Sequence, residues 1–159
     1  MSWDNVVNMG EVAWKVIEDG KPVAGIEHKT FNAVPQVDDW NSITGATGPN
    51  SLGYRWKMTN GFGIDVVVVE YAIKWEYGAR YRDGGAFIPN VWLSVPVCDV
   101  KWGFSIDLSV HAHNPTNAGS ATAPKARLPL TLSASVDTPF WTDNKQWDFV
   151  LFGDGTYEK

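Results

Sequence analysis

The stretch Ile64-Asp-Val-Val-Val-Val-Glu-Tyr-Ala-Ile-Lys-Trp-Glu-Tyr-Gly-Ala-Arg-Tyr-Arg82 decides the fold. Val67, Val69, Tyr71, Ile73, Trp75 and Tyr77 fall on alternate positions, with Glu70, Ala72, Lys74, Glu76 and Gly78 between them. A period of two sends every large apolar side chain to one face of a pleated strand, whereas a helix would scatter them around its circumference. The β-branched and aromatic content is what a half-buried strand favours.

Working outward, the same alternation recurs. Val12, Trp14 and Val16 share a face, and Asp19-Gly20 supplies a tight turn into a return strand over 23–31, whose weak alternation suits a sheet edge. Tyr54, Trp56 and Met58 precede Asn60-Gly61, a strong hairpin signal. Asp83-Gly84-Gly85 leads into 87–97, where Pro89 and Pro96 predict an edge or bulged strand. The segment 100–110 alternates most cleanly, with Val100, Trp102, Phe104, Ile106, Leu108 and Val110 on the apolar side. Leu128, Leu130, Leu132, Ala134 and Val136 mark another strand, and 146–152 a short last one.

About eight strands joined mostly by tight turns predict an all-β domain. One wet face per strand calls for two antiparallel sheets packed on a shared core. The expected architecture is a β-sandwich of immunoglobulin-like or jelly-roll type, with a closed β-barrel as second choice. Residues 1–159 are read as one domain, in which 1–10 form an N-terminal arm and 32–53 and 111–124 form long loops. Within the first loop, Asp38-Asp39-Trp40-Asn41-Ser42-Ile43 can form one short helical turn, since Asp can cap it.

Composition narrows the function. The net charge of −5 and the dispersal of the 13 basic residues argue against a nucleic-acid partner. One cysteine, Cys98, excludes an internal disulfide framework. No apolar run reaches the ~20 residues of a spanning helix. Charged residues make up only 19%, and Gly, Asn, Thr and Trp take their place, a balance common in exported β-domains. A secreted or periplasmic setting is therefore expected. Met1–Asp4 carries no signal-peptide pattern, so this expectation takes the chain as a mature form, with a cytoplasmic protein as the alternative.

Catalytic signatures are not apparent. Cys98 has no basic partner in sequence to activate it. The acidic pairs Asp38/Asp39, Glu70/Glu76 and Asp143/Asp148 read as surface decoration. His111 and His113, two apart on a strand, point to one side as metal ligands can, but a site needs a third ligand, for which His28 and Glu27 are the candidates. No cofactor is implied.

Nine tryptophans are the most unusual feature. Trp14, Trp56, Trp75 and Trp102 lie on apolar strand faces and are expected in the core, whereas Trp3, Trp40, Trp92, Trp141 and Trp147 are expected at the periphery. Trp40, Trp92 and Trp141, with Asp143 and Asn144, form the candidate ligand-binding set. Indoles stack on sugar rings or anchor a protein surface, and neighbouring polar groups take hydroxyls. The leading expectation is a non-catalytic extracytoplasmic binding or adhesion domain, carbohydrate-binding in its sharpest form. The alternative is a subunit of a homo-oligomeric envelope, fibre or pore-type assembly, and a hydrolase comes third.

Overall fold

A computed structural model describes residues 6–23 and 29–159 of the chain. They form two antiparallel sheets packed face to face, a sandwich rather than a closed barrel. Eight strands are five residues or longer: β2 (Ala13–Glu18), β4 (Phe31–Pro35), β6 (Thr47–Thr59), β7 (Asp65–Tyr77), β9 (Gly84–Val100), β10 (Ser105–Ala112), β12 (Ala126–Asp137) and β13 (Thr142–Phe152). Shorter pieces are β1 (Val6–Val7), β3 (Lys21–Pro22), β5 (Ile43–Thr44), β8 (Ala79–Tyr81), β11 (Thr116–Asn117) and β14 (Tyr157–Glu158). The first sheet runs β1-β4-β9-β7-β6, with β8 joined to β5 and β9. The second runs β14-β13-β12-β10-β2-β3, with β11 on β12.

The opening stretch behaves as its period dictates. Val67, Val69, Tyr71, Ile73 and Trp75 are all buried against the other sheet. The strand stops at Tyr77 because Gly78 turns to positive φ, and the chain resumes as β8 on a new line. Asp19 and Gly20, and likewise Arg82 and Asp83, are the central residues of two-residue hairpins. Positive φ at both central positions matches the twist of the flanking strands.

Several expectations need correction. The partner strand expected over 23–31 lies largely outside the described residues. The pairing seen after the turn is β3, which precedes that range and pairs through Ile17–Pro22 and Glu18–Lys21. Phe31–Pro35, expected as the end of that return strand and the start of the 32–53 loop, is a wholly buried strand in the other sheet. It hides its period because both of its faces are covered. Residues 47–51 of the same loop extend β6, and Trp40–Ser42 is the expected capped turn, a single 3-10 turn with Asp39 Oδ1 accepting from Asn41 N. The N-terminal arm is partly strand, since Val6 and Val7 pair with Pro35 and Val34. In the second loop, His111 and Ala112 continue β10 and Thr116–Asn117 pairs with β12. Strand β9 is not an edge but lies between β4 and β7. It absorbs Pro89 and Pro96 in two bulges, one opposite Phe31–Ala33 and one opposite Glu70–Ala72. The strand expected from Val100 starts at Ser105, so Val100 ends β9 and Trp102 sits in the intervening turn.

One side of the sandwich, between β6 and β13, is closed by aromatic rings. Tyr54 stacks on Tyr71 at 5.4 Å between ring centres, and Trp147 meets Tyr54, Trp56 and Tyr71 at 5.9, 6.4 and 6.2 Å. Trp147, expected at the periphery, is thus half-buried in this cluster.

Candidate functional site

Three turns converge at one end of the sandwich. Register places them there: Val67 pairs with Val100, Ser105 with Asp137, and Asp137 with Thr142. Each turn is closed by at least one internal backbone hydrogen bond and carries an exposed apolar ring. Between β6 and β7, Asn60 Oδ1 accepts from Phe62 N at 2.9 Å and Ile64 N at 3.0 Å, while Asn60 N donates to Ile64 O. Asn60-Gly61 is therefore not the two-residue turn its sequence suggests; the positive φ falls on Gly63. Between β9 and β10, Phe104 N donates to Lys101 O across Trp102-Gly103. Between β12 and β13, Thr138 Oγ1 accepts from Phe140 N and Trp141 N and donates to Trp141 O.

The result is an aromatic end. Phe62 is 91% exposed, Trp102 97%, Phe140 92%, Ile64 55% and Trp141 48%. Trp102, expected in the core, is the most exposed of these, because at a turn the strand period no longer governs direction. A cleft of about 530 Å³ opens between the turns, lined by Met58, Val66, Phe104 and Pro139 with Trp102 and Trp141 at its sides. Behind the tips sit matched charges: Lys57 lies 3.5 Å from Asp65, and Lys101 3.3 Å from Asp99. Asp137 accepts from the Thr142 hydroxyl at 2.7 Å.

The candidate ligand-binding residues do not assemble into one site. Trp141 belongs to the aromatic end. Trp40 sits at the opposite end, next to Ile43, which pairs with Tyr81. The β7 strand between these ends is roughly 40 Å long at ~3.3 Å per residue. Trp92 lies on the outer face of the first sheet, half-buried opposite Lys74. Asp143 and Asn144 are consecutive in β13 and so point to opposite faces. Asn144 lines a shallow groove of about 360 Å³ on the second sheet with Lys15, Asp107, Ser133, Ser135 and Gln146, where no ring is available for stacking.

His111 and His113 do come together, with ring centres 4.8 Å apart. Yet His113 Nε2 is 2.7 Å from Thr131 Oγ1, whose own proton goes to Asp148 Oδ1 at 2.6 Å. Thr131 must therefore accept from His113, which fixes the proton on Nε2 and leaves that nitrogen neither a metal ligand nor a base toward Thr131. Among the described residues no three His, Cys, Asp or Glu side chains converge on a cation position. His28 and Glu27 lie outside those residues.

Cys98 is partly buried and donates to Gly20 O at 3.0 Å. Burial, and secondarily the Asp99 carboxylate, pushes its thiol up, away from the reactive thiolate. Glu70 faces Arg55 at 3.4 Å and Glu76 accepts from Asn90, so both carboxylates are engaged in cross-strand contacts.

Phe62, Ile64, Trp102 and Phe140 escaped the sequence reading. Their signal was a ring flanked by turn formers: Gly61-Phe62-Gly63, Trp102-Gly103 and Pro139-Phe140-Trp141. No family model matches the sequence, and neither a curated protein nor a solved structure shows significant similarity to the chain.

Proposed function

We propose that this chain is a non-catalytic binding domain, acting outside the cytoplasm, that meets its partner through the aromatic end. The observation that carries the reading is the exposure of Phe62, Trp102 and Phe140, each above nine-tenths, on three turns gathered at one end. Large rings carried bare on short turns bring a large apolar area to a contact. The carbohydrate form of the reading narrows to Trp102 and Trp141, since Trp40 and Trp92 lie elsewhere. Acrylamide quenching of tryptophan fluorescence tests the proposal, with the Trp102→Phe/Trp141→Phe variant identifying their share. Shielding of that share by a glycan panel, by lipid vesicles or by rising protein concentration supports it. If none of the three shields it, the aromatic end is not a contact surface.

A second reading, the subunit of an assembly, draws on β6. Among the described residues this 13-residue strand pairs only with β7, leaving one edge open. Sedimentation of the chain across a concentration range decides it, and a monomer at every concentration removes it.

A further inference from the structure

The geometry points to a zwitterionic lipid bilayer as the partner of the aromatic end, with Phe62, Trp102 and Phe140 entering the interface. This inference rests on the binding reading above and names the partner's chemistry.

Three features separate lipid from sugar or protein. First, the side-chain oxygens at two of the turns are already engaged. Asn60 Oδ1 holds two backbone N–H groups, and Thr138 Oγ1 holds two more while donating its proton to Trp141 O. A sugar's hydroxyls find those oxygens occupied, and the backbone N–H groups bonded to them suffer least in hydrocarbon, where water cannot replace a missing bond. Second, the rings stand on three separate turns. A folded partner would need a pocket for each tip, but a fluid interface accommodates them without one. Trp102 and half-exposed Trp141 suit the headgroup level, where an indole keeps its ring in apolar surroundings and its N–H in water.

Third, the charges behind the tips select the headgroup. Lys57–Asp65 and Lys101–Asp99 present cation and anion side by side, complementary to a headgroup that carries both. The net charge of −5 opposes an anionic surface. Binding should therefore favour phosphatidylcholine over phosphatidylserine and change little with salt, because apolar burial drives it.

Co-sedimentation of the full chain with vesicles of phosphatidylcholine alone, and with added phosphatidylserine, tests this, run beside a glycan array and a concentration series without lipid. The expected result is partition to phosphatidylcholine with a blue shift of tryptophan emission, insensitive to salt. Trp102→Ser/Phe140→Ser should weaken partition by at least about tenfold per ring removed with no change in melting temperature. Partition undiminished in that variant, or binding only to anionic vesicles and abolished by salt, overturns the inference. If glycan or self-association shields Trp102 and vesicles do not, the lipid inference falls and the binding reading stands. If nothing shields it, both fall.

Discussion

Two groups of aromatic rings in this molecule have nearly the same composition and opposite fates. Tyr54, Trp56, Tyr71, Trp147 and Phe149 knit the β6–β13 side of the sandwich together, ring on ring. Phe62, Trp102, Phe140 and Trp141 stand in solvent at its end. Side-chain type does not separate them; backbone position does. The first group occupies alternate strand positions, where pleating commits each ring to the interior. The second occupies turns, shaped by backbone N–H bonds to Asn60 Oδ1 and Thr138 Oγ1 and by Phe104 N to Lys101 O, where no sheet face is left to claim the ring. The first group serves stability, and the second is free to serve contact.

The sharpest way to break this contrast is the same truncation in both groups. Trp75→Ala, in the fully buried row of β7, should cost about 3–5 kcal/mol of unfolding free energy. Trp102→Ala should stay within about 0.5 kcal/mol. Denaturant titration of the two variants checks both, and a large loss at Trp102 would mean that the aromatic end holds the fold together. An intermediate case follows. Trp147 is half-buried with three ring neighbours, and Trp147→Ala should cost about 2 kcal/mol by the same titration.

Tyr71 sharpens the interior side. Its hydroxyl is buried with no hydrogen-bond partner among the described residues. Burial, then the neighbouring Tyr54, pushes the phenol well above its ordinary range. A raised folded value means that stability from the neutral phenol is complete below the unfolded value near 10 and drains away as pH rises toward the folded one. Tyr71→Phe should leave neutral-pH stability unchanged or raise it by about 1 kcal/mol, and should delay alkaline unfolding, as read by circular dichroism against pH.

The smallest effect expected is at Asp154. Partial burial pushes this carboxyl up, but bonds from the Thr156 hydroxyl and backbone N–H, together with Lys125, outweigh it and hold it below the usual range. Its contribution is complete above the unfolded value near 3.9 and lost as pH falls through the folded one. Solvent screening keeps that contribution to ~0.5 kcal/mol or less, so Asp154→Asn should flatten the acid limb of a stability profile only slightly.

The same contrast explains what was legible in the sequence. Where one face is wet and the other dry, alternation announces itself, and β7, β10 and β12 could be read directly. Phe31–Pro35 gave no such signal because every residue in it is buried. Trp102 misled because Val100, Trp102 and Phe104 keep a period of two straight through a turn, and spacing alone does not reveal that the strand has ended. The aromatic end was invisible for a related reason. Its members are brought together by register between strands far apart in the chain, which no local pattern records. Of the candidate ligand-binding tryptophans, Trp141 is the one at that end.

Thr138 and Asn60 each anchor their turn through one side-chain oxygen, and neither uses the projecting ring to do so. Conformation and surface chemistry are thereby written at different positions of the same short segment. Residues 62, 102 and 140 become interchangeable fittings on a fixed mount. Replacing all three rings with charged, sugar-like or metal-seeking groups should leave the sandwich intact, which makes this end of the molecule a ready-made platform for grafting new specificities.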